Sequence, residues 1–255
     1  MMRALTTAGT GMIAQQINLD TISNNLANVN TTGYKHERAE FQDLIYQTFR
    51  GASNNSGAIQ VGLGSALSAT GTDFSQGAPQ NTGNPLDLMI NGNGFFQVQK
   101  PDGTLAYTRD GSFKEDANGQ IVTSDGYLLD PPITIPTNAT SVSVSPDGTV
   151  VVTVPGQNDP QQLGPIQVAL FPNAGGLTRV GQNLYIPTGA SGTAQLVDPG
   201  TSGAGPISSG FLEGSNVQVV EEMVKMIMAQ RAYEINSKAI QTSDDMLSTI
   251  NNLKR

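Results

Sequence analysis

Leu5-Thr6-Thr7-Ala8-Gly9-Thr10-Gly11-Met12-Ile13-Ala14-Gln15-Gln16-Ile17-Asn18-Leu19-Asp20-Thr21-Ile22-Ser23-Asn24-Asn25-Leu26-Ala27-Asn28-Val29 is the stretch that decides how this chain folds. Leu5, Met12, Leu19 and Leu26 recur at every seventh position, and Ala8, Gln15, Ile22 and Val29 follow each by three. Filling both apolar positions of successive heptads makes a narrow helical seam, with Gln15 its polar lapse. The spacing predicts an amphipathic helix over residues 2–29, closed near Gly33 after Asn30-Thr31-Thr32. Its other faces are unusual. Arg3 and Asp20 are the only charged residues before Lys35, whereas a free-standing coiled coil carries charge beside its seam. Gly9 and Gly11 each cost about 1 kcal/mol relative to alanine. Such a helix is weak alone. It fits either a core helix of an ordinary domain or a helix buried on several sides in an assembly.

The other end of the chain repeats the pattern. Val219, Met226, Tyr233, Ile240 and Leu247 recur every seventh residue. Ser215-Asn216-Val217-Gln218 fits a capping box, with Glu221 and Glu222 favouring the positive helix start and Lys254 and Arg255 the negative end. A helix over residues 216–253 is roughly 57 Å long, longer than a domain of this size is wide. Its apolar stripe therefore needs a partner.

Between the helices the punctuation changes. All 14 prolines lie from Pro79 to Pro206, so only the two ends are free to form long helices. Asn-Gly and Asp-Gly pairs recur at residues 91, 93, 102, 110, 118, 125 and 147, separated by short runs such as Phe95-Phe96-Gln97-Val98 and Thr149-Val150-Val151-Val152. This predicts antiparallel hairpins in a sandwich or barrel. Residues 187–206, poor in apolar groups, read as a loop. Glu37 to Phe49 is compatible with a short helix or a strand, and Gly51 to Gly64, rich in Ser, Asn and Gly, with a flexible or extended segment. The expected class is α+β. Residues 1–34 and 216–255 form a discontinuous coiled-coil domain, 35–80 and 206–215 a connecting segment with extended elements, and 81–205 a β-rich domain.

Composition removes several functions. With 0 Cys and 1 His, disulfide, thiol and Cys/His metal chemistry is out of reach. The net charge of −8 argues against nucleic acid. No apolar run is long enough for a membrane helix, and Thr and Gly interrupt what would be the core of a secretory signal. The chain is thus expected in the cytoplasm or exported without a cleaved signal. No phosphate loop, dinucleotide fingerprint or calcium loop is present. His36, in Tyr34-Lys35-His36-Glu37-Arg38, reads as a surface histidine in an exposed charged stretch. No catalytic residue, cofactor or metal site is expected.

Four collinear motifs carry a resemblance. Ser23-Asn24-Asn25-Leu26-Ala27-Asn28-Val29-Asn30-Thr31-Thr32-Gly33-Tyr34-Lys35 resembles the N-terminal signature of the bacterial flagellar rod and hook proteins. Ile90-Asn91-Gly92-Asn93-Gly94-Phe95-Phe96-Gln97-Val98 is similar to the central motif of that family, and Tyr107 to Phe113 to the segment after it. Leu212-Glu213-Gly214-Ser215-Asn216-Val217 and Gln230 to Ile240 resemble its C-terminal signature. Length and the last motif are most similar to the distal rod branch, as is Phe41 to Thr48. The similar-sized proximal rod protein is the alternative. A secreted β-rich adhesin or phage-tail component shares the composition but not the motifs.

The resemblance implies a structural subunit that polymerises into a rigid helical tube and transmits torque from motor to hook. It implies as partners copies of the chain itself, other rod proteins, the hook protein, the ring bushings in peptidoglycan and outer membrane, and the type III export apparatus. The place implied is the periplasm-spanning basal body. Leu5, Met12, Leu19, Ile22, Leu26, Val219, Met226, Tyr233, Ile240 and Leu247 are then polymerisation residues. Asn24, Asn25, Asn28, Asn30, Gly33, Gly92, Gly94 and Asn216 are the family motif residues. The amides of Asn24 to Asn30 could pair across subunits without burying charge. A segment within residues 46–66 is expected to stiffen the rod, and both termini to order on assembly.

Overall fold

The computed structural model describes residues 2–50, 59–155 and 159–253. The chain divides into two compact units, one formed by Met1–Ala27, Glu37–Asp73 and Gln218–Arg255, the other by Asn28–His36 and Phe74–Val217. Among the described residues, two α-helices and a larger share of antiparallel strand make the class α+β, as expected.

The first unit is built on helix α1 (Met2–Ala27) and helix α2 (Val219–Leu253). Both are slightly shorter than the periodicity predicts. Beyond α1, Asn28 accepts the Thr31 N–H (3.1 Å) on its carbonyl and the Thr31 hydroxyl (3.1 Å) on its side chain, a local turn that competes with helix. Before α2, Ser215 and Asn216 do not form the capping box. Ser215 Oγ accepts from Val217 N–H (3.3 Å) and Asn216 Oδ1 from His36 N–H (2.7 Å). The first helical bond instead runs from Glu222 N–H to the Gln218 carbonyl (3.0 Å).

The helices pack antiparallel. Asn25 of α1 meets Glu222, while Gly11 faces Asn236, whose side chain would stand 3.0 Å from a Cβ at residue 11. The row Glu222, Ala229, Asn236 and Ser243 also has heptad spacing, and Glu222, Ala229 and Ser243 are buried. The seam within this unit is therefore polar and small. Residues 37–43 are strand rather than helix: Glu37–Asp43 pairs antiparallel with Ser65–Thr72, with an irregularity at Glu40/Phe41. Tyr46–Arg50 pairs with Ile59–Gly62. The ribbon approaches α1 closely, since a Cβ on Gly64 would stand 2.0 Å from Thr10 Oγ1. Part of the segment expected to be extended or stiffening, residues 51–58, lies outside the described residues.

The second unit holds the β-structure. Among the described residues, a nine-stranded sheet runs in the order Thr178–Gly181, Leu184–Ile186, Leu105–Thr108, Phe95–Gln99, Leu128–Leu129, Ile121–Thr123 and Phe113–Glu115. Val168–Leu170 pairs with both Phe95–Gln99 and Gln195–Val197. A three-stranded sheet joins Ser141–Val144, Thr149–Thr153 and Gln161–Pro165. Alternation along Phe95–Gln99 supplies both faces of the large sheet. Phe96 and Val98 enter a core with Leu88, Ile121, Val150 and Ile166, while Phe95 joins Tyr107, Leu177 and Tyr185 in a second, aromatic one.

Most predicted turns close hairpins. At the tip between Gln99 and Leu105, Lys100 N–H bonds the Thr104 carbonyl (2.9 Å) and Gly103 takes φ +81°, which a glycine adopts without strain. Asp110-Gly111 does something else. The Asp110 carboxylate accepts from the Ser112 N–H (3.0 Å), and the chain passes hard against the Leu88 carbonyl. The reading of residues 187–206 as a loop is corrected at Gln195–Val197, an edge strand of 3 residues, too short to show an alternation in the sequence.

Candidate functional site

Two features stand out: a buried charged node in the second unit, and an uncovered apolar face on α2. The node gathers four sequence motifs. Lys35, with no exposed surface, donates from Nζ to Glu213 Oε1 (2.5 Å) and to the Ser75 carbonyl (2.8 Å). The other Glu213 oxygen accepts from Arg109 (3.2 Å), and Gly77 N–H donates to Oε1 (2.9 Å). Arg109 also donates to the Gly92 carbonyl (2.7 Å) and lies 5.3 Å over the Phe95 ring. Arg179 donates to the Lys35 carbonyl and stacks over Tyr34 at 5.2 Å. Burial pushes the Arg109 guanidinium below its usual pKa, and Glu213 pulls it back up.

Backbone contacts surround these charges. Gly33 N–H reaches the Glu213 carbonyl (2.8 Å), and Asn216 amide nitrogen the Ser75 hydroxyl (3.0 Å). Gly33 sits at φ +66°, where a Cβ would be 2.7 Å from the Arg109 carbonyl carbon. Gly94 packs against Val168 with no room for a Cβ. Asn183 donates to the Thr32 carbonyl (3.1 Å). The expected exposed stretch at His36 is corrected: Tyr34 and Lys35 are buried and His36 is half-buried. Glu213 lies 178 residues from Lys35, so local charge density could not reveal the pairing. The signal available was membership of the quoted motifs, which contain Lys35, Arg109 and Glu213.

The Asn-rich run is split between the units. In the first, Asn25 is wholly buried. It donates to the Glu37 carbonyl (2.7 Å) and to Glu222 (3.1 Å), and accepts from Glu37 N–H (2.9 Å). Asn24 is exposed and reaches the Glu37 carboxylate (3.4 Å). In the second, Asn28 makes the turn with Thr31, and Asn30 is exposed.

The ten heptad residues are distributed unevenly. Ile22 is buried; Met12, Leu19, Leu26, Met226 and Ile240 are half-buried; Leu5, Val219, Tyr233 and Leu247 are exposed. On α2, the large apolar residues most open to solvent flank that row. Val220 is 75% exposed, Ile227 57%, Met228 66% and Ile235 68%, with Met223, Val224, Met246 and Ile250 near one-half. A soluble monomer seldom leaves so much contiguous apolar surface open. Among the described residues, no group of acidic or histidine side chains stands together to hold a metal, and no helix is long and apolar enough to cross a membrane.

Comparison with known proteins completes the picture. The family described as "Flagella basal body rod protein" matches residues 5–35, "Flagellar hook protein FlgE/F/G D1 domain" residues 89–152, and "Flagellar basal body rod FlgEFG protein C-terminal" residues 208–253. The chain is 51% identical over 264 residues to the flagellar basal-body rod protein FlgG of Borreliella burgdorferi, covering 100% of both chains. It is 48% identical to FlgG of Caulobacter vibrioides, over 99% of this chain and 100% of that one. With FlgG of Bacillus subtilis the identity is 44% over 100% of both. Matched end to end through helices, node and sheets alike, the chain belongs to the FlgG family of flagellar basal-body rod proteins, the structural subunits of the distal rod and not enzymes.

Proposed function

We propose that copies of this chain polymerise through the outward faces of α1 and α2 into a rigid helical tube that carries torque from motor to hook. The carrying observation is the run Val220, Met223, Val224, Ile227, Met228 and Ile235, large apolar side chains left open along one helix. Burying each is worth about 1.5–3 kcal/mol. A helix whose own seam is lined by Glu222, Ala229, Asn236 and Ser243 keeps its hydrophobic surface for other subunits.

The heptad residues Leu5, Met12, Leu19, Ile22, Leu26, Val219, Met226, Tyr233, Ile240 and Leu247 contribute to both surfaces. Asn24 and Asn30, exposed amides, are available for neutral hydrogen bonds between subunits. Asn25, Asn28, Gly33, Gly92, Gly94 and Asn216 act within the subunit, holding the motif segments in place. The fitting partners are other rod proteins and the hook protein at the tube ends, and the ring bushings of peptidoglycan and outer membrane around it. Delivery by the flagellar export apparatus fits a rod assembled across the periplasm.

Electron microscopy of the purified full chain at high concentration tests this reading. Straight tubes are expected. Monomers that persist at millimolar concentration would refute it, and supercoiled tubes would assign the chain a hook-like mechanical role.

A further inference from the structure

We propose that Met223 is an oxidation site that controls assembly: its sulfoxide keeps the α2 face from docking on another copy of the chain, and the assembled rod shields the thioether from oxidant. The consequence for assembly rests on the polymer reading above; the site itself does not. Of the chain's 8 methionines, Met223, Met226, Met228 and Met246 lie on α2. Met223 is 50% exposed, Met228 66% and Met246 52%. Met226 is half-buried, and Met89, in the strand Leu88–Ile90, is 4% exposed. The thioethers open to a soluble oxidant thus lie on the element that carries the uncovered apolar face.

Position on the helix singles out Met223. Residues three and four apart are neighbours on a helix surface. Around Met223 these are Val219, Val220, Met226 and Ile227, all apolar. Met228 has Lys225 and Arg231 among its neighbours, and Met246 has Thr242, Ser243 and Thr249. Glu222, one position before Met223, is buried and bonded to Asn25 of α1 (3.1 Å). The turn of the helix therefore carries Met223 away from the seam and toward the open patch of Val220, Val224 and Ile227.

The chemistry is a two-electron oxygen transfer from a peroxide, of which hydrogen peroxide is the simplest. The sulfur lone pair attacks one peroxide oxygen. An S–O bond forms as the O–O bond breaks, and the leaving hydroxide takes the proton of the transferred oxygen. Sulfur is oxidised to the sulfoxide and peroxide is reduced to water. The product is polar where the thioether was apolar, a change that disrupts methionine-bearing interfaces and that sulfoxide reductases reverse. The new oxygen is a hydrogen-bond acceptor. At Met228 the Lys225 and Arg231 heads can serve it. At Met223 the four neighbouring side chains offer no donor, so covering the patch would bury the acceptor unpaired.

Full-length subunit, kept dilute, is treated with hydrogen peroxide and mapped by peptide mass spectrometry. Oxygen is expected first on Met223, Met228 and Met246 and last on Met89. A Met223 that resists as long as Met89 overturns the site. Oxidised protein should self-associate about tenfold more weakly in sedimentation velocity, with unchanged circular dichroism. Unchanged association at complete Met223 oxidation, or a loss of helix that accounts for the weakening, overturns the control of assembly. Met223→Leu keeps size and apolarity while removing the reactive sulfur. It should associate like wild type before and after peroxide, whereas Met228→Leu should stay sensitive. Equal sensitivity of the two variants overturns the assignment to Met223. In tubes Met223 should oxidise several-fold more slowly than in free subunits, and equal rates overturn the shielding. Untreated wild type that never associates refutes the polymer reading and the control of assembly with it, while the order of oxidation still decides the site.

Discussion

At the scale of single residues, the node is where one atom matters most. Lys35 and Glu213 are both fully desolvated. Removing one partner leaves the other charged and unpaired, which costs about 3–5 kcal/mol. Glu213→Ala is therefore expected to lower stability by that amount, read in urea titrations from the near-ultraviolet dichroism of the Phe95, Tyr107 and Tyr185 cluster. Lys35→Met and Arg109→Met combined with Glu213→Leu should recover most of the loss, because no lone charge then remains among the three. A triple variant as unstable as the single would show that the hydrogen bonds to Gly77 and Ser75, not the charges, dominate. Glycines offer a second contrast. Gly103→Ala meets open space and suffers only the left-handed backbone, about 1–2 kcal/mol. Gly33→Ala adds a collision with the Arg109 backbone at 2.7 Å and should cost more in the same titration. Neither the buried state of Lys35 nor the role of Glu213 was legible locally. In sequence, Lys35 to Arg38 looks like a solvated charge cluster, and the burial comes from a strand pairing far along the chain.

At the scale of elements, both helices were legible and their inner faces were not. Seven-residue spacing found Leu5 to Leu26 and Val219 to Leu247. It could not rank the competing row of Glu222, Ala229, Asn236 and Ser243, because that row holds no large apolar side chain. The consequence is testable on α2. Ile227→Asp or Ile235→Asp alters only exposed positions, so tubes should be lost while circular dichroism and the β-rich unit's NMR spectrum stay unchanged. Leu19→Asp and Ile240→Asp, at half-buried sites, should block tubes and also loosen the helix pair. A polar seam and two glycines make α1 weak on its own. Hydrogen exchange in the free subunit should therefore be fast across residues 2–27 and slow after polymerisation. Strong protection in the monomer would contradict a helix that relies on neighbours. The hairpins were legible from Asn-Gly and Asp-Gly pairs because that chemistry is local. The ribbons of residues 37–72 were not, since Glu37-Arg38-Ala39-Glu40 shows no alternation of apolar and polar residues.

At the scale of the whole molecule, the two units are interleaved in sequence. The second is completed by residues 28–36, which precede a 37–73 segment belonging to the first. Lys35 Nζ touches the Ser75 carbonyl at 2.8 Å, so the two ends left by removing that segment lie close. A linker of about six Gly and Ser residues spans roughly 13 Å. A chain of residues 28–217 with 37–73 replaced by such a linker is expected to fold, with a dispersed NMR spectrum and the same near-ultraviolet dichroism. A collapsed spectrum would mean that the ribbons support the β-rich core.

The Lys35–Glu213 contact also sets an order of events. It ties together positions at opposite ends of the β-rich unit, closing a loop of 178 residues. Closing a loop that long carries its entropy cost before any of the contact's reward. A polypeptide delivered end-first thus travels with its leading segment undocked, slack and narrow. The latch engages only when the last fifth of the chain arrives, so passage and locking are separated in time by the sequence distance between one lysine and one glutamate.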